Sequence, residues 1–518
     1  MWEHLLQAVA ITTYVSILAG IAIYGFHRYV LVYLYVKHRN QIQTPKGTFE
    51  QLPFVTVQLP MYNEDIVAER VIRASCQIDY PLDRLEIQVL DDSTDHSADI
   101  ARKAVDQMAA KGFPIRYIHR DNREGYKAGA LEAGLKEARG ELIAIFDADF
   151  VPPWDILRNL VHYFTDEKVG MIQVRWDHLN RDASVLTKSQ AIFLDGHFVI
   201  EHTARNRSGR FMHFNGTAGV WRRVTIEDAG GWQHDTLTED LDLSYRAQMK
   251  GWQFVYLPQF CAPAELPPEM ISFKQQAHRW TKGSMQTAIK LLPQILRSRH
   301  LSRRVKTEAF FHLTNTLVYP LMVILTLLMY PTFFNYFAPF KAYTWGSLIF
   351  GSSLFILATV SASTFFVFGQ HELLGWRAGW RSMIYLPILM GLGIGVSLNN
   401  TKAVFEAIWS SIKRKPSEFI RTPKYGLTGS QNNTVFRGAR VFTFSRLALP
   451  IVEIAFGLYM TVCMGISIFY GFGHGTIPFL VIFAGGYYYV GFSSLHVLWR
   501  MQQEADAEIE DAAEILGT

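Results

Sequence analysis

Apolar and polar positions follow two rhythms along the chain. Residues 5–36 form one nearly unbroken apolar run, and further runs long enough to cross a bilayer occupy 309–334, 345–368, 447–472 and 477–499. From about residue 50 to residue 260 the pattern changes to short β-rich stretches alternating with amphipathic ones. Residues 54–59, 85–90, 115–118, 142–146 and 171–174 are predicted strands, and 66–76, 98–110, 127–138 and 154–164 predicted helices. This alternation predicts an α/β domain with a mostly parallel sheet and helices on both faces. In such a sheet ligands bind beyond the carboxyl ends of the strands.

The first apolar run has no basic segment before it and no small-residue cleavage site, which predicts a retained membrane helix rather than a signal peptide. Residues 383–398 are too short for a full span and carry Pro387, Gly391, Gly393 and Gly395, the composition of an interfacial or re-entrant segment. Basic residues orient the whole. Lys37, His38 and Arg39 follow the first run, Arg297, Arg299, Arg303, Arg304 and Lys306 precede the second, and Lys413, Arg414, Lys415, Arg421 and Lys424 lie before the fourth. The positive-inside rule places all of them on the cytoplasmic side, and the turns 337–344 and 473–476 are nearly free of such charge. The expected topology is five crossings with the N-terminus out and the C-terminus in; six crossings is the rival count.

The resulting division is a membrane helix over 1–45, a cytoplasmic α/β domain over 46–265 and interfacial helices over 266–307. Membrane helices follow over 308–369, then an interfacial helix and loop over 370–446, membrane helices over 447–500 and an acidic tail over 501–518. A length of 518 residues suits one domain of roughly 250 residues plus a membrane part. Composition agrees: 49% of residues are hydrophobic and only 19% charged. A net charge of +4 is too small to argue for a nucleic-acid partner. Cys76, Cys261 and Cys463 are too scattered for a disulfide framework or a zinc site and are expected to be buried small hydrophobes. The few cysteines and short loops favour a prokaryotic inner membrane.

Candidate chemistry lies where strands end. Asp147 and Asp149 close the strand 142–146, where two carboxylates can hold a hard divalent cation; an Asp-rich turn capping the next helix is the competing reading. Asp91 and Asp92 follow another strand, with a nucleoside contact and a helix cap as the two readings. Arg123 and Lys127 flank Gly125 at the start of a helix and fit diphosphate contacts, unless they are merely solvated. Thr238, Glu239 and Asp240 open a predicted helix over 241–250, as caps or as a catalytic group, with Asp240 the candidate base and Glu239 its support. Gln276, Arg279 and Trp280 share one helix face, offering an amide, a guanidinium for phosphate and an indole for a sugar ring. An interfacial Trp beside a snorkelling Arg would look the same. His278 between them reads as a satisfied polar residue.

Five strings together make the chain resemble the family-2 glycosyltransferases, and within them the plant cellulose-synthase-like mannan and glucan synthases of types A and C. These are Val89-Leu-Asp-Asp-Ser-Thr-Asp95, Arg120-Asp-Asn-Arg-Glu-Gly-Tyr-Lys-Ala-Gly-Ala130, Ala144-Ile-Phe-Asp-Ala-Asp-Phe150, Phe214-Asn-Gly-Thr-Ala-Gly219 and Gln276-Ala-His-Arg-Trp280, spread over roughly residues 50 to 290. The resemblance implies a GT-A type (Rossmann-like) domain, a nucleotide-sugar donor, Mg2+ or Mn2+ at Asp149 and Asp147, base contact at Asp91 or Asp92, Asp240 as general base and Trp280 at the acceptor terminus. It further implies that Phe214, Asn215, Gly216 and Thr217 line the acceptor site. Processive members close a Phe-x-Val-Thr-x-Lys loop over the nucleotide; here Phe419, Arg421, Thr422 and Lys424 occupy the matching place, with Arg421 instead of Val and Pro423 in the variable position.

The function these readings predict is an inverting synthase that adds β-linked hexoses from GDP-mannose or UDP-glucose to a growing polysaccharide and passes the polymer through the bilayer. The rivals are a transferase placing one sugar on a lipid and a scaffold that keeps the fold without catalysis.

Overall fold

The computed structural model describes residues 2–332, 345–413, 426, 443–469 and 477–516. The nucleotide-closing segment expected at Phe419, Arg421, Thr422 and Lys424 lies outside the described residues.

Seven strands form one sheet: β1 (Val55–Met61), β2 (Leu85–Asp91), β3 (Ile115–His119), β4 (Leu142–Ile145), β5 (Val169–His178), β6 (Gly219–Arg222) and β7 (Gln253–Ala264). Their order is β3-β2-β1-β4-β6-β5-β7. β1 pairs parallel with β2 and β4, β2 with β3, and β5 with β7, while β6 runs antiparallel to both β4 and β5. The five strands read from the hydrophobic pattern are all present. Two more were missed, for different reasons. β6 is four residues long and gives no period. β7 carries Pro258 and Pro263, which argue against a central strand. Both prolines are tolerated because β7 is the edge strand and its pairing with β5 skips from Leu257 to Cys261. The helix expected over 154–164 is broken into an α-turn, Ile156–Leu160, and a 3₁₀ turn, Val161–Thr165.

Helices cover both faces of the sheet, so every residue of β1 and β2 is buried. Val55, Val57 and Leu59 of β1 pack in one apolar layer with the helices Asp65–Cys76 and Ser97–Ala110. The alternate positions are polar and paired across the strands: Thr56 Oγ1 donates to Glu86 at 2.7 Å and Gln58 Nε2 to Gln88 at 3.1 Å, which leaves Gln58 Oε1 and Gln88 Nε2 buried without a hydrogen-bond partner. Cys76 and Cys463 are buried as expected, whereas Cys261, on the edge strand, is only half-buried.

Outside the sheet, four helices among the described residues are long and apolar enough to cross a membrane: Ala8–His38, Arg303–Tyr330, Arg446–Phe469 and Ile477–Ala507. A 30-residue helix, Trp345–Leu374, packs along the first of them. Residues 383–398 fall in a broken helix pair, Trp376–Gly395 and Ser397–Lys413, bent by 41°. The glycines there serve close packing as well as the break: a Cβ on Gly395 would stand 2.4 Å from the Gly486 carbonyl oxygen of the last helix.

The amphipathic helix Met270–Arg297 joins the two parts, lying against Arg303–Thr314 and Ser397–Lys413. On its first turns Lys274 reaches Glu453 of the third crossing helix at 2.6 Å, with Ser494 of the fourth at 3.4 Å; Lys274 and Glu453 are both buried. Removing one partner strands a charge away from water, at a cost of about 3–5 kcal/mol. Glu453→Leu is therefore expected to lower the thermal-aggregation midpoint of the detergent-purified protein sharply, and the double variant Lys274→Met/Glu453→Leu to recover most of it. A double variant as unstable as the single one would show that the pair itself, not charge compensation, matters.

Candidate active site

The strands β1, β2 and β4 end at one edge, and the acidic motif of β4 turns there. Phe150 N–H bonds back to the Asp147 carbonyl at 3.0 Å, and Asp147 N–H donates to Thr217 Oγ1 at 2.9 Å. The turn is thus tied to the loop 214–217 rather than capping a helix. Asp149 is 5% exposed, and its backbone carbonyl accepts from Arg70, which Glu265 holds at 2.6 Å. Lys127, in the first turn of the helix Tyr126–Glu137, places its Nζ 2.5 Å from Asp147 Oδ1 and 3.0 Å from the Gly216 carbonyl oxygen.

The loop itself is braced from behind. Phe214 N–H donates to Ser244 Oγ at 2.9 Å and Asn215 N–H to Gln173 Oε1 at 3.0 Å, while Gln173 Nε2 donates to the carbonyls of Thr217 and Ala218. Gly216 takes φ +81°, and a Cβ there would stand 3.1 Å from Asp240 Oδ2 and 3.4 Å from Lys127 Nζ. Asp147, Lys127, Gly216 and Asp240 therefore share one cleft.

Asp240 lies in the first turn of the helix Glu239–Met249. Thr238 stands at the capping position but makes no capping bond; its hydroxyl meets Thr287 of the helix Met270–Arg297 at 3.2 Å. Gly283 of that same helix is the contact point, since a Cβ there would stand 2.5 Å from Thr238 Cγ2. Burial, with the Glu239 carboxylate alongside, pushes Asp240 up to about 7, against the opposing pull of Lys127. Burial likewise raises Glu239. Lys127 loses hydration, which favours the neutral amine, yet the carboxylates of Asp147, Glu239 and Asp240 together outweigh this and hold it above the ordinary lysine value. Burial lowers Arg279, opposed by the carboxylates of Glu239, Asp147, Asp240 and Asp149. Arg279 thus faces the same cleft from the interfacial helix.

Four carboxylates stand against two cations, Lys127 and Arg279. That surplus of negative charge and the hard oxygens of Asp147 and Asp149 fit a divalent ion of the Mg2+ or Mn2+ kind. Gln276 and Trp280 are half-buried on the helix of Arg279, and Trp280 packs on the apolar layer that includes Leu194 and Phe198. His278 instead meets Glu406 at 3.3 Å.

Asp91, Asp92 and Arg123 also lie at the strand ends, with protein partners already in place. Asp91 is fully buried and accepts from Tyr117 Oη at 2.6 Å and Ser93 N–H at 3.0 Å. Asp92 receives two bonds from Arg120, at 2.7 and 2.5 Å. The Arg123 guanidinium lies 3.4 Å from the Tyr62 ring centre and 4.9 Å from that of Tyr126. Sequence reasoning missed Gln173, Ser244, Arg70 and Arg120. A buried Gln in an otherwise apolar strand was the one available signal.

Residues 53–283 match the family described as Glycosyltransferase like family 2. Glucomannan 4-beta-mannosyltransferase 2 of Arabidopsis thaliana is 33% identical over 447 residues, 83% of this chain and 78% of that protein. Probable glucomannan 4-beta-mannosyltransferase 4 of Oryza sativa subsp. japonica is 42% identical over 255 residues, 48% of this chain and 46% of that protein. Among solved structures, a mannosyltransferase of Pyrobaculum calidifontis, in complex with GDP-Man and Mn2+, shares the fold with a TM-score of 0.50 and 20% identity, over 78% of this chain and 99% of that one.

Gly216→Ala forces an L-residue into the left-handed region, costing about 1–2 kcal/mol, and crowds Asp240 as well. Gly209→Ala is the matched control, with φ +69° and nothing within 4 Å of its Cβ. Both variants are expected to lose similar thermal stability, and only Gly216→Ala to lose at least tenfold in catalytic rate. Equal rates in the two would mean that Gly216 does not set the geometry around Asp240.

Proposed function

The chain belongs to glycosyltransferase family 2, and from that premise we propose that it is an inverting membrane hexosyltransferase building a β-linked mannan or glucomannan from GDP-mannose. UDP-glucose is the second candidate donor. The observation that carries this reading is the convergence of Asp240, Lys127 and Asp147 around Gly216 at the carboxyl ends of the strands, with Arg279 electrostatically coupled to the same carboxylates.

In this reaction an acceptor hydroxyl oxygen attacks the anomeric carbon from the face opposite the phosphate, the carbon–oxygen bond to the diphosphate breaks, and the hydroxyl proton passes to Asp240. The raised affinity of Asp240 for a proton, which follows from burial and from Glu239, suits it to that task near neutral pH. Arg279 and Lys127 supply positive charge where the leaving nucleoside diphosphate gathers negative charge. Arg279 can hold phosphate oxygens in a fork, and Lys127 acts as a point charge. Asp147 and Asp149 would hold a divalent ion, which when bound supplies further neutralisation of the diphosphate. Asp91 and Asp92, with Arg123 beside Tyr62, bound the end of the cleft assigned to the nucleoside. The expected acceptor contacts at Phe214 and Thr217 are replaced by a supporting role, since both side chains are fully buried behind the loop, Phe214 in the apolar core. Asn215 and Gly216 back the acceptor side, and Trp280 offers an indole face to the terminal sugar, with Gln276 one turn before it.

The membrane placement supports polymer export. Trp280 sits on the helix that Lys274 fixes to two crossing helices, so a chain growing there starts at the mouth of the helix bundle. The cytoplasmic position of the sheet domain rests on the basic residues flanking the crossing helices.

Purified protein given labelled GDP-mannose with Mg2+ or Mn2+ is expected to yield insoluble polymer with β-mannosyl linkages, and Asp240→Asn to lower kcat by about 10²–10⁴-fold. A single glycolipid as the sole product would replace polymerisation by one-sugar transfer, and an unchanged rate in Asp240→Asn would remove that residue as base.

The pH profile carries its own test. The base must be ionised, so kcat should fall as pH drops through about 7 and level off above it. The residual rate of Asp240→Asn should lack that limb. A limb retained by the variant assigns it to another group.

A further inference from the structure

Behind the acceptor loop lies a cluster of imidazoles that the transfer reaction does not use. His197 and His202 sit five residues apart, a spacing that an α-helix spreads over different faces. The segment Gly196–His202 is a π-helix, whose wider turn brings the two onto one side, with ring centres 4.4 Å apart. His213, just before the loop, completes the group, its ring centre 4.9 Å from that of His202 and 5.5 Å from that of His197. One ring nitrogen from each lies within 4.8 Å of the others.

The surroundings are those of a ligand set. His202 is fully buried, and neither of its ring nitrogens has a partner of hydrogen-bonding geometry; Nδ1 of His213 has none either. Buried polar atoms left this way are costly, and an unmet ligand is a standard reason for them. Glu201 accepts from His197 Nδ1 at 2.9 Å, which fixes the proton there and turns the Nε2 lone pair toward the cluster, the carboxylate–histidine arrangement found behind bound metals. Arg205 holds Glu201 at 3.2 Å and is held in turn by Glu308 at 2.9 Å. The Asn215 amide nitrogen stands 3.1 Å from both His197 Nε2 and His213 Nε2, while its Oδ1 is buried without a partner. A half-turn of that amide exchanges the two atoms.

We propose that His197, His202 and His213 form a second metal site, with Asn215 Oδ1 as a fourth ligand. Neutral imidazoles select a borderline ion such as Zn2+, Co2+ or Ni2+, unlike the hard ion suited to Asp147 and Asp149. The ion would be structural. It would tie the π-helix to the residue preceding Gly216 and so hold the acceptor loop against the bundle.

The test uses full-length protein carrying Asp147→Asn and Asp149→Asn, so that the catalytic cleft does not contribute metal. After chelation and dialysis it is loaded with Co2+ and read by visible absorption and by metal content. About one Co2+ per chain with the bands of imidazole coordination is expected, displaced by Zn2+. The signal should vanish in His197→Gln and His213→Gln, and affinity should fall about 10–100-fold in Glu201→Gln. Size exclusion checks that each variant is folded. If either His variant fails to fold, the Glu201→Gln affinity decides. Absent cobalt bands in the folded parent, or bands unchanged in folded His197→Gln, overturn the site and leave the imidazoles as a hydrogen-bonded clamp on the Asn215 amide.

Discussion

The surplus of carboxylate charge in the cleft is the constraint on which the rest of the structure depends. Asp147, Asp149, Glu239 and Asp240 come from two separate segments, and bringing them together in a half-buried site is unfavourable unless cations come with them. Lys127 and Arg279 provide part of that compensation, from a helix of the sheet domain and from the interfacial helix. Because neither alone suffices, the sheet domain and the interfacial helix must dock for the site to exist. Burial, with the Glu239 carboxylate alongside, raises Asp240, so the enclosure that gathers these carboxylates also increases its affinity for a proton.

Docking is made durable by where the interfacial helix is anchored. One face of Met270–Arg297 carries Arg279 and Trp280 toward the cleft; about one and a half turns earlier Lys274 is buried against Glu453 and Ser494. Gly283 then lets the helix approach Thr238 closely enough for the two threonine hydroxyls to meet. The distance from Asp240 to the long apolar helices is therefore set by side chains on a single helix. The proposed polymerisation into the helix bundle would need that, since the acceptor end would have to return to the same place after each addition.

How much of this the sequence disclosed follows from period and from distance along the chain. β1 to β5 were legible because β-branched runs of ordinary length sit between amphipathic helices. β6 and β7 were not, one being too short and the other interrupted by prolines that only an edge position permits. The acidic motifs and the Gln276, Arg279 and Trp280 face could be read as candidates because residue type and strand-end position coincide. What spacing cannot reveal is which partner each group meets. Lys127 lies on Asp147, Asp92 is occupied by Arg120, and Gln173 holds the loop from a strand 40 residues away, each a consequence of tertiary packing. The histidine cluster was invisible for a related reason: only a π-turn, which no local preference announces, puts residues 197 and 202 side by side.

In the proposed transfer, the choice of cation at each position follows from what each would have to do. Lys127 is a compact ammonium on a flexible stem, and it bonds Asp147 and the Gly216 carbonyl together. Exchanging a carboxylate oxygen for a phosphate oxygen needs only rotation about its own side-chain bonds, with the Gly216 contact kept as a pivot. The Arg279 guanidinium is planar, and it faces four carboxylates from the interfacial helix rather than from the loop. It suits a group that must stay oriented while charge develops on the leaving diphosphate. A lysine at 279 would lose the fork, and an arginine at 127 would overfill the space between Asp147 and Gly216, where even a methyl group on Gly216 comes within 3.4 Å of the ammonium. The two positions are therefore not interchangeable, although each contributes one positive charge to the same cleft.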